Sequence, residues 1–191
     1  VKQIKISVLL FMSLYVLTGI LYPAAVTVVS QAIFPNKSSG SLIYRSDGKP
    51  AGSELIGQLF SDPKYFWPRP SATADFPYNA MASGGSNLGP TNKDLIDQVA
   101  GRVKSFRESG IVSFLPADLV AASGSGLDPH ISEEGALLQV PRVARQRRLP
   151  EEKIRDLVKN HIEGRQLGFL GEPRVNVLLL NLALDKLKGN G

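Results

Sequence analysis

Residues 6–36 read ISVLLFMSLYVLTGILYPAAVTVVSQAIFPN, a stretch without a single Asp, Glu, Lys, Arg or His. Its most apolar part, Val8 to Val29, is interrupted only by Ser13, Thr18, Gly19, Pro23, Thr27 and tyrosines. At 1.5 Å per residue such a helix reaches about 33 Å, enough to cross a hydrocarbon core of about 30 Å. Twelve of its positions are Leu, Ile, Phe or Val, each favouring insertion by about 0.3–0.6 kcal/mol. The rival reading is a cleaved signal peptide, whose apolar region is about 7–15 residues and ends in a small-x-small site. The longer run without that site favours a retained anchor over residues 1–34.

Within the span Tyr15, Gly19, Pro23 and Thr27 recur every fourth residue and share one helix face. Such a stripe lets another helix approach closely and offers it hydrogen bonds. Equally, Gly and Pro are common in spanning helices. Lys2 and Lys5 on one flank nearly balance Lys37, Arg45 and Lys49 on the other, so charge does not decide orientation. A short tail before the span and a large soluble part after it is the arrangement of an export anchor. It places residues 35–191 outside the cytoplasm.

The rest of the 191-residue chain is ordinary globular material, since 43% of residues are apolar and 20% charged. Zero cysteines exclude disulfide scaffolds and thiolate chemistry, and two histidines supply few metal ligands. Setting Lys2 and Lys5 aside leaves 20 basic and 17 acidic side chains, which is no nucleic-acid footprint.

Ser41–Tyr44 reads as a strand, Asp47-Gly48 as a turn and Ser53–Phe60 as the returning strand. Ser61–Asn92 carries five of the thirteen prolines and little periodicity, so an ordered irregular loop is expected. Thr91 or Asn92 caps a helix with Leu95, Ile96, Val99, Val103 and Phe106 on one face and Gly110 as its stop. A second helix starts after Ser132 and is bent or divided by Pro141. A third has Pro150 at its first position and runs towards Ile162 and Gly164. Arg174–Val177 alternates like a strand, and Leu178–Leu187 continues as strand or helix. The expected architecture is one transmembrane helix plus a mixed α/β soluble domain with a small sheet and three to four helices.

Several clusters have two readings. Ser83–Pro90, with Ser86 and Asn87, has the glycines of an anion cradle but no Lys-Ser/Thr ending, so a tight turn is favoured. Ser123–Ser132 holds Ser123, Ser125, Asp128 and His130, the residue types of a hydrolase triad, yet crowded into ten positions. A helix-entry turn capped by Ser132 fits it better. Tyr65, Phe66, Trp67 and Arg69, set among prolines, suit either a protein contact or packing on their own domain. Arg142, Arg145, Arg147 and Arg148 read as a solvated helix face.

Taken together, six blocks in one order resemble the small C subunit of the bacterial Kdp-type potassium-transporting ATPase. They are Leu55–Gln58, Tyr65-Phe66 with Arg69–Ala72, Ser83–Pro90, Ser125–Ser132, Gln139–Ala144, and Arg174–Val177 with Leu180–Asp185. The resemblance implies a non-catalytic subunit of an inner-membrane pump, with partners of three kinds: a channel-like potassium-selective subunit, a P-type ATPase subunit and a small single-helix subunit. It implies a chaperone role that raises the ATPase subunit's affinity for ATP from a position near the ion entrance. No cofactor of its own is implied; ATP is bound by or shared with the partner ATPase subunit, and potassium is the ion carried. On this reading Tyr15, Gly19, Pro23, Thr27, Tyr65, Phe66, Trp67, Arg69, Ser86, Asn87, Asp128 and His130 are candidate partner contacts. A membrane-anchored hydrolase using Ser123 or Ser125 with His130, and a small-anion binding module, are the alternatives.

Overall fold

In the computed structural model, residues 2–45 and 47–187 are described. The chain divides into two compact units, Val1–Ala51 and Gly52–Gly191. The division falls inside the second strand of the hairpin.

The first unit is built on a helix of 32 residues, Lys2–Ile33, long and apolar enough to cross a membrane. Its parts are α1 (Lys2–Val16), a π-turn (Leu17–Leu21) and α2 (Tyr22–Ile33). Pro23 lies at the start of α2, where a missing N–H interrupts the regular ladder. The hydroxyls of Ser13, Thr18 and Thr27 turn inward and donate to the carbonyls of Leu9, Leu14 and Pro23, each at 2.8 Å. Hydroxyls without water make such bonds to the preceding turn. A one-turn helix α3 (Pro35–Ser38) follows.

β1 (Leu42–Tyr44) pairs with β2 (Pro50–Ser53), not with the expected Ser53–Phe60. The turn chemistry explains the difference. Arg45 N–H donates to the Lys49 carbonyl at 2.8 Å and Gly48 N–H to the Arg45 carbonyl at 3.0 Å. With Gly48 at φ 77°, this short loop fixes the register and uses up the strand by Ser53.

Beyond β2, the second unit continues as an ordered coil that runs to Asn92, broken only by a 3-10 turn at Ala80–Ala82. Asn92 caps α4 (Lys93–Glu108) by accepting from Asp94 N–H at 2.7 Å. Of its expected inner face, Phe106 is buried, Leu95, Val99 and Val103 are half-covered and Ile96 is exposed. A short α5 (Ala117–Val120) precedes β3 (His130–Ser132) and α6 (Glu133–Arg147). Ser132 Oγ accepts from Gly135 N–H at 2.9 Å, the expected cap. Pro141 neither ends nor divides α6. Its ring lies on the exposed side, while Val140, Arg142 and Val143 on either side of it are buried, so packing of the inner face carries the helix through the lost bond.

Pro150 is the residue before α7 (Glu151–Lys159), not its first position, and Ile162 lies in β4 (Ile162–Glu163) beyond the helix. β5 (Arg174–Asn176) runs antiparallel between β3 and β4, with Ile131 and Ile162 both opposite Val175. Asn176 then caps α8 (Val177–Lys186), so the ambiguous closing stretch is a helix. α6 packs on α7, and α8 packs on α7 and β5. Between them lies a core of Ile131, Val140, Val143, Ile154, Val158, Val175, Leu180 and Leu184.

Candidate functional site

The aromatic segment is held by two side-chain amides acting as a substitute strand. Phe66 N–H donates to Asn181 Oδ1 at 2.9 Å, and Asn181 Nδ2 donates to the Phe66 carbonyl at 3.0 Å. One residue on, Trp67 N–H donates to Gln139 Oε1 at 2.7 Å and Gln139 Nε2 to the Trp67 carbonyl at 3.2 Å. Four backbone groups that the buried loop would otherwise leave unpaired are thereby satisfied. Phe66 is 0% exposed, so its ring packs in this unit's own core and leaves no surface for a neighbour.

Arg142, one turn beyond Gln139 on α6, completes the arrangement. Its guanidinium donates to the carbonyls of Pro63 and Tyr65 and, at 2.6 Å, to Gln139 Oε1. It also lies over the Trp67 ring at 4.2 Å. Burial, with the neighbouring Arg145 charge adding and Asp62 opposing, lowers its pKa to about 10, so it is protonated at neutral pH. The solvated basic face expected here is therefore corrected for Arg142 and Arg147, whereas Arg145 and Arg148 are exposed as expected. Arg142 is 1% exposed, Arg145 donates to the Ser109 carbonyl, and Arg147 binds the Lys64 carbonyl and Asp185. Tyr65 donates its hydroxyl to the same Asp185 at 3.0 Å. These arginines hold loops in place because a fixed fork of donors matches several carbonyls at once.

Arg69 and Asp128 meet across two loops, Arg69 Nη1 lying 3.0 Å from Asp128 Oδ2. Asp128 Oδ1 accepts from His130 N–H at 3.0 Å, and His130 Nδ1 is 3.4 Å from the same oxygen. On the other side His130 Nε2 faces Glu163 Oε2 at 3.8 Å, and Glu163 is paired with Arg174 at 3.0 Å. Burial alone would push the Asp128 carboxyl up, but the side-chain and backbone bonds from His130 and the Arg69 guanidinium outweigh it and bring it down to about 2. The result is a chain of neighbouring polar groups, Arg69, Asp128, His130, Glu163 and Arg174, that ties a loop to β3, β4 and β5.

Around this chain the loops are sewn together. Tyr78 donates its hydroxyl to the Arg69 carbonyl, and burial, helped by the Asp128 charge, raises its pKa above the ordinary range. Ser71 Oγ donates to the Gly126 carbonyl at 2.7 Å and accepts from Tyr78 N–H at 2.9 Å. Gly84 N–H donates to the Ser125 carbonyl at 2.9 Å. A Cβ on Gly85 would stand 3.1 Å from the Gly124 carbonyl oxygen. Gly85 permits this close approach of two backbones, and neither Gly84 nor Gly85 adopts positive φ; Asn87 does, at 54°. Ser86 lines a cleft of about 660 Å³ with Ser71, Thr73, Asp94, Asp97 and Arg102.

In the first unit the Tyr15 ring lies 3.8 Å from where a Gly19 Cβ would be, and Thr27 bonds back to Pro23. A four-residue repeat overshoots an α-helical turn by about 40° at each step. The π-turn between Leu17 and Leu21 takes up an extra residue per turn and offsets part of that drift.

The family model described as KdpC, the K+-transporting ATPase c chain, matches residues 4–186. The chain belongs to this family. Curated relatives include the potassium-transporting ATPase KdpC subunits of Geobacter metallireducens, at 55% identity over 97% of this chain and 98% of that protein, and of Geotalea uraniireducens, at 57% over the same shares. That of Polaromonas naphthalenivorans is 58% identical over 95% of this chain and 93% of its own. The chain is thus a C subunit of the Kdp potassium-transporting ATPase, the non-catalytic one, and the other Kdp subunits are its partners. Its apolar amino-terminal helix agrees with a single-pass membrane subunit.

Membership in KdpC removes the hydrolase alternative, and the geometry gives the reason. Both ring nitrogens of His130 face carboxylates, and Ser125 Oγ accepts from Leu127 N–H. In the glycine-rich loop the Gly84 N–H is given to the Ser125 carbonyl and so is not offered to an anion. Gln139, Asn181 and Arg142 carry much of this arrangement, yet the sequence reading assigned none of them such a role. An amide inside an otherwise apolar run, as in Leu-Leu-Leu-Asn-Leu at 178–182, was the available signal, since a buried amide must find partners.

Proposed function

We propose that this chain stabilises the assembled pump and raises the ATPase subunit's affinity for ATP, its soluble unit resting outside the cytoplasm of a bacterial inner membrane near the ion entrance. What supports the reading is the combination of KdpC membership with a 32-residue helix that carries no charge from Ile6 onward. ATP is held by the partner ATPase subunit, potassium is the transported ion, and the chain itself carries no cofactor. The effect on ATP passes through a conformational equilibrium that both subunits bias, because a ligand shifts an equilibrium only by its differential affinity for the two states. Couplings of this kind typically change affinity by about 5- to 150-fold.

The test compares apparent ATP affinity of the pump with and without this chain, alongside photo-crosslinking of an ATP analogue in sealed, oriented vesicles. Lower affinity on removal, with label confined to the partner, is expected. Label on residues 41–191 would overturn the indirect route.

A further inference from the structure

The π-turn and Pro23 together leave main-chain acceptors short of donors in the middle of the span, the Thr18 carbonyl first among them. Tyr22 N–H donates to the Leu17 carbonyl, five residues back. The next carbonyl, that of Thr18, would look to residue 22 or 23. Tyr22 is already engaged and Pro23 has no N–H. Leu21 lies within the π-turn, whose bonds run one residue further back than in an α-helix and direct its N–H to Val16. Thr18 cannot satisfy its own carbonyl, since its hydroxyl donates to Leu14 at 2.8 Å.

Position makes this acceptor consequential. Thr18 stands at the centre of the apolar run from Val8 to Val29, about ten residues and so about 15 Å from either end. Water does not reach that depth, and hydrocarbon offers no donor. Access is open, because Gly19 follows directly and a Cβ there would meet only the Tyr15 ring, at 3.8 Å and 3.9 Å.

We propose that the Thr18 carbonyl accepts a hydrogen bond from a side-chain hydroxyl or amide on a transmembrane helix of a partner subunit, near the bilayer midplane. The acceptor's need for a donor specifies the occupant's chemistry. A second copy of this chain in register fits poorly, since the hydroxyl it brings to that depth is that of Thr18, already committed, and its next ones, on Tyr15 and Tyr22, start about 4.5 and 6 Å away along the axis. The inference rests on the pump-subunit reading above and adds to it where and how one neighbour is engaged.

Thr18-Gly19 is the single Thr-Gly pair in the sequence, so threonine labelled with ¹³C at the carbonyl and glycine labelled with ¹⁵N isolate this one carbonyl in solid-state NMR. The spectra compare the assembled complex with the full chain alone, both in bilayers. A downfield movement of the Thr18 carbonyl resonance on assembly is expected. The same position in both, or a hydrogen-bonded position in the chain alone, overturns the inference. Pro23→Ala supplies the missing N–H and is expected to abolish the difference between the two samples; a persisting difference overturns it as well. If the complex forms and the resonance does not move, this inference alone falls, whereas failure to assemble removes the proposed function too.

Discussion

Replacing Asn181 by Leu keeps the side chain's shape and removes both bonds that hold Phe66. Asn181 is 1% exposed and Phe66 0%, so water cannot take over at the Phe66 N–H and carbonyl. Each buried group left unpaired costs about 1–3 kcal/mol, and the added apolar burial of Leu returns part of this. A net loss of about 2–4 kcal/mol follows from those two terms. With a urea dependence of about 2 kcal/mol per molar, the midpoint should fall by about 1–2 M. Trp67 is the protein's single tryptophan and adjoins the lost bonds, so its fluorescence in the detergent-solubilised full chain reports the transition directly. Gln139→Leu should cost more, because it also strips an acceptor from the buried Arg142 guanidinium. Midpoints within a few tenths of a molar of the parent for both variants would refute the claim that these amides hold the loop.

Asp128 has a folded-state pKa near 2 against an ordinary 3.8. Its contribution is therefore present above about pH 4 and disappears as pH falls towards 2, so Asp128→Asn should cost about 1–2 kcal/mol at pH 6 and almost nothing at pH 2 in urea titrations. Gly126→Ala places a Cβ 2.6 Å from Thr73 Cγ2 and 2.7 Å from the Gly84 carbonyl oxygen, at φ 68°; a loss of about 2–4 kcal/mol is expected by the same titration, and an unchanged midpoint would contradict the close packing of these loops. Pro141→Ala restores a helix hydrogen bond on the exposed side of α6 and should raise stability by about 1–2 kcal/mol; a lowered midpoint would show that the ring is required there.

What was legible in the sequence was local. Asn92 and Ser132 cap their helices because a side-chain oxygen reaches an N–H two or three residues on, and the absence of charge from residues 6 to 36 marks a spanning helix whatever lies elsewhere. The hairpin register was missed because a short loop, not the apolar pattern, sets which residues face each other. The expectation that Pro141 bends or divides its helix fails as to division because the rule for isolated helices omits the packing of its neighbours. The site itself depends on partners far apart in the chain. Asn181 and Phe66 are 115 positions apart, and Gln139 and Trp67 are 72 apart. No spacing rule joins them, so Arg142 and Arg147, read as part of a solvated face, are fasteners for a loop. Conversely, ordered family blocks identified the chain without revealing any of this geometry.

The central claim is that this chain works only as part of a larger membrane assembly. It is tested most directly by extracting the tagged chain from its native membrane in mild detergent and weighing the purified particle by native mass spectrometry. The account predicts a stoichiometric complex far heavier than 20.6 kDa, containing a channel-like subunit and a P-type ATPase. A monomer recovered alone, with the pump intact and fully active without it, would contradict the account.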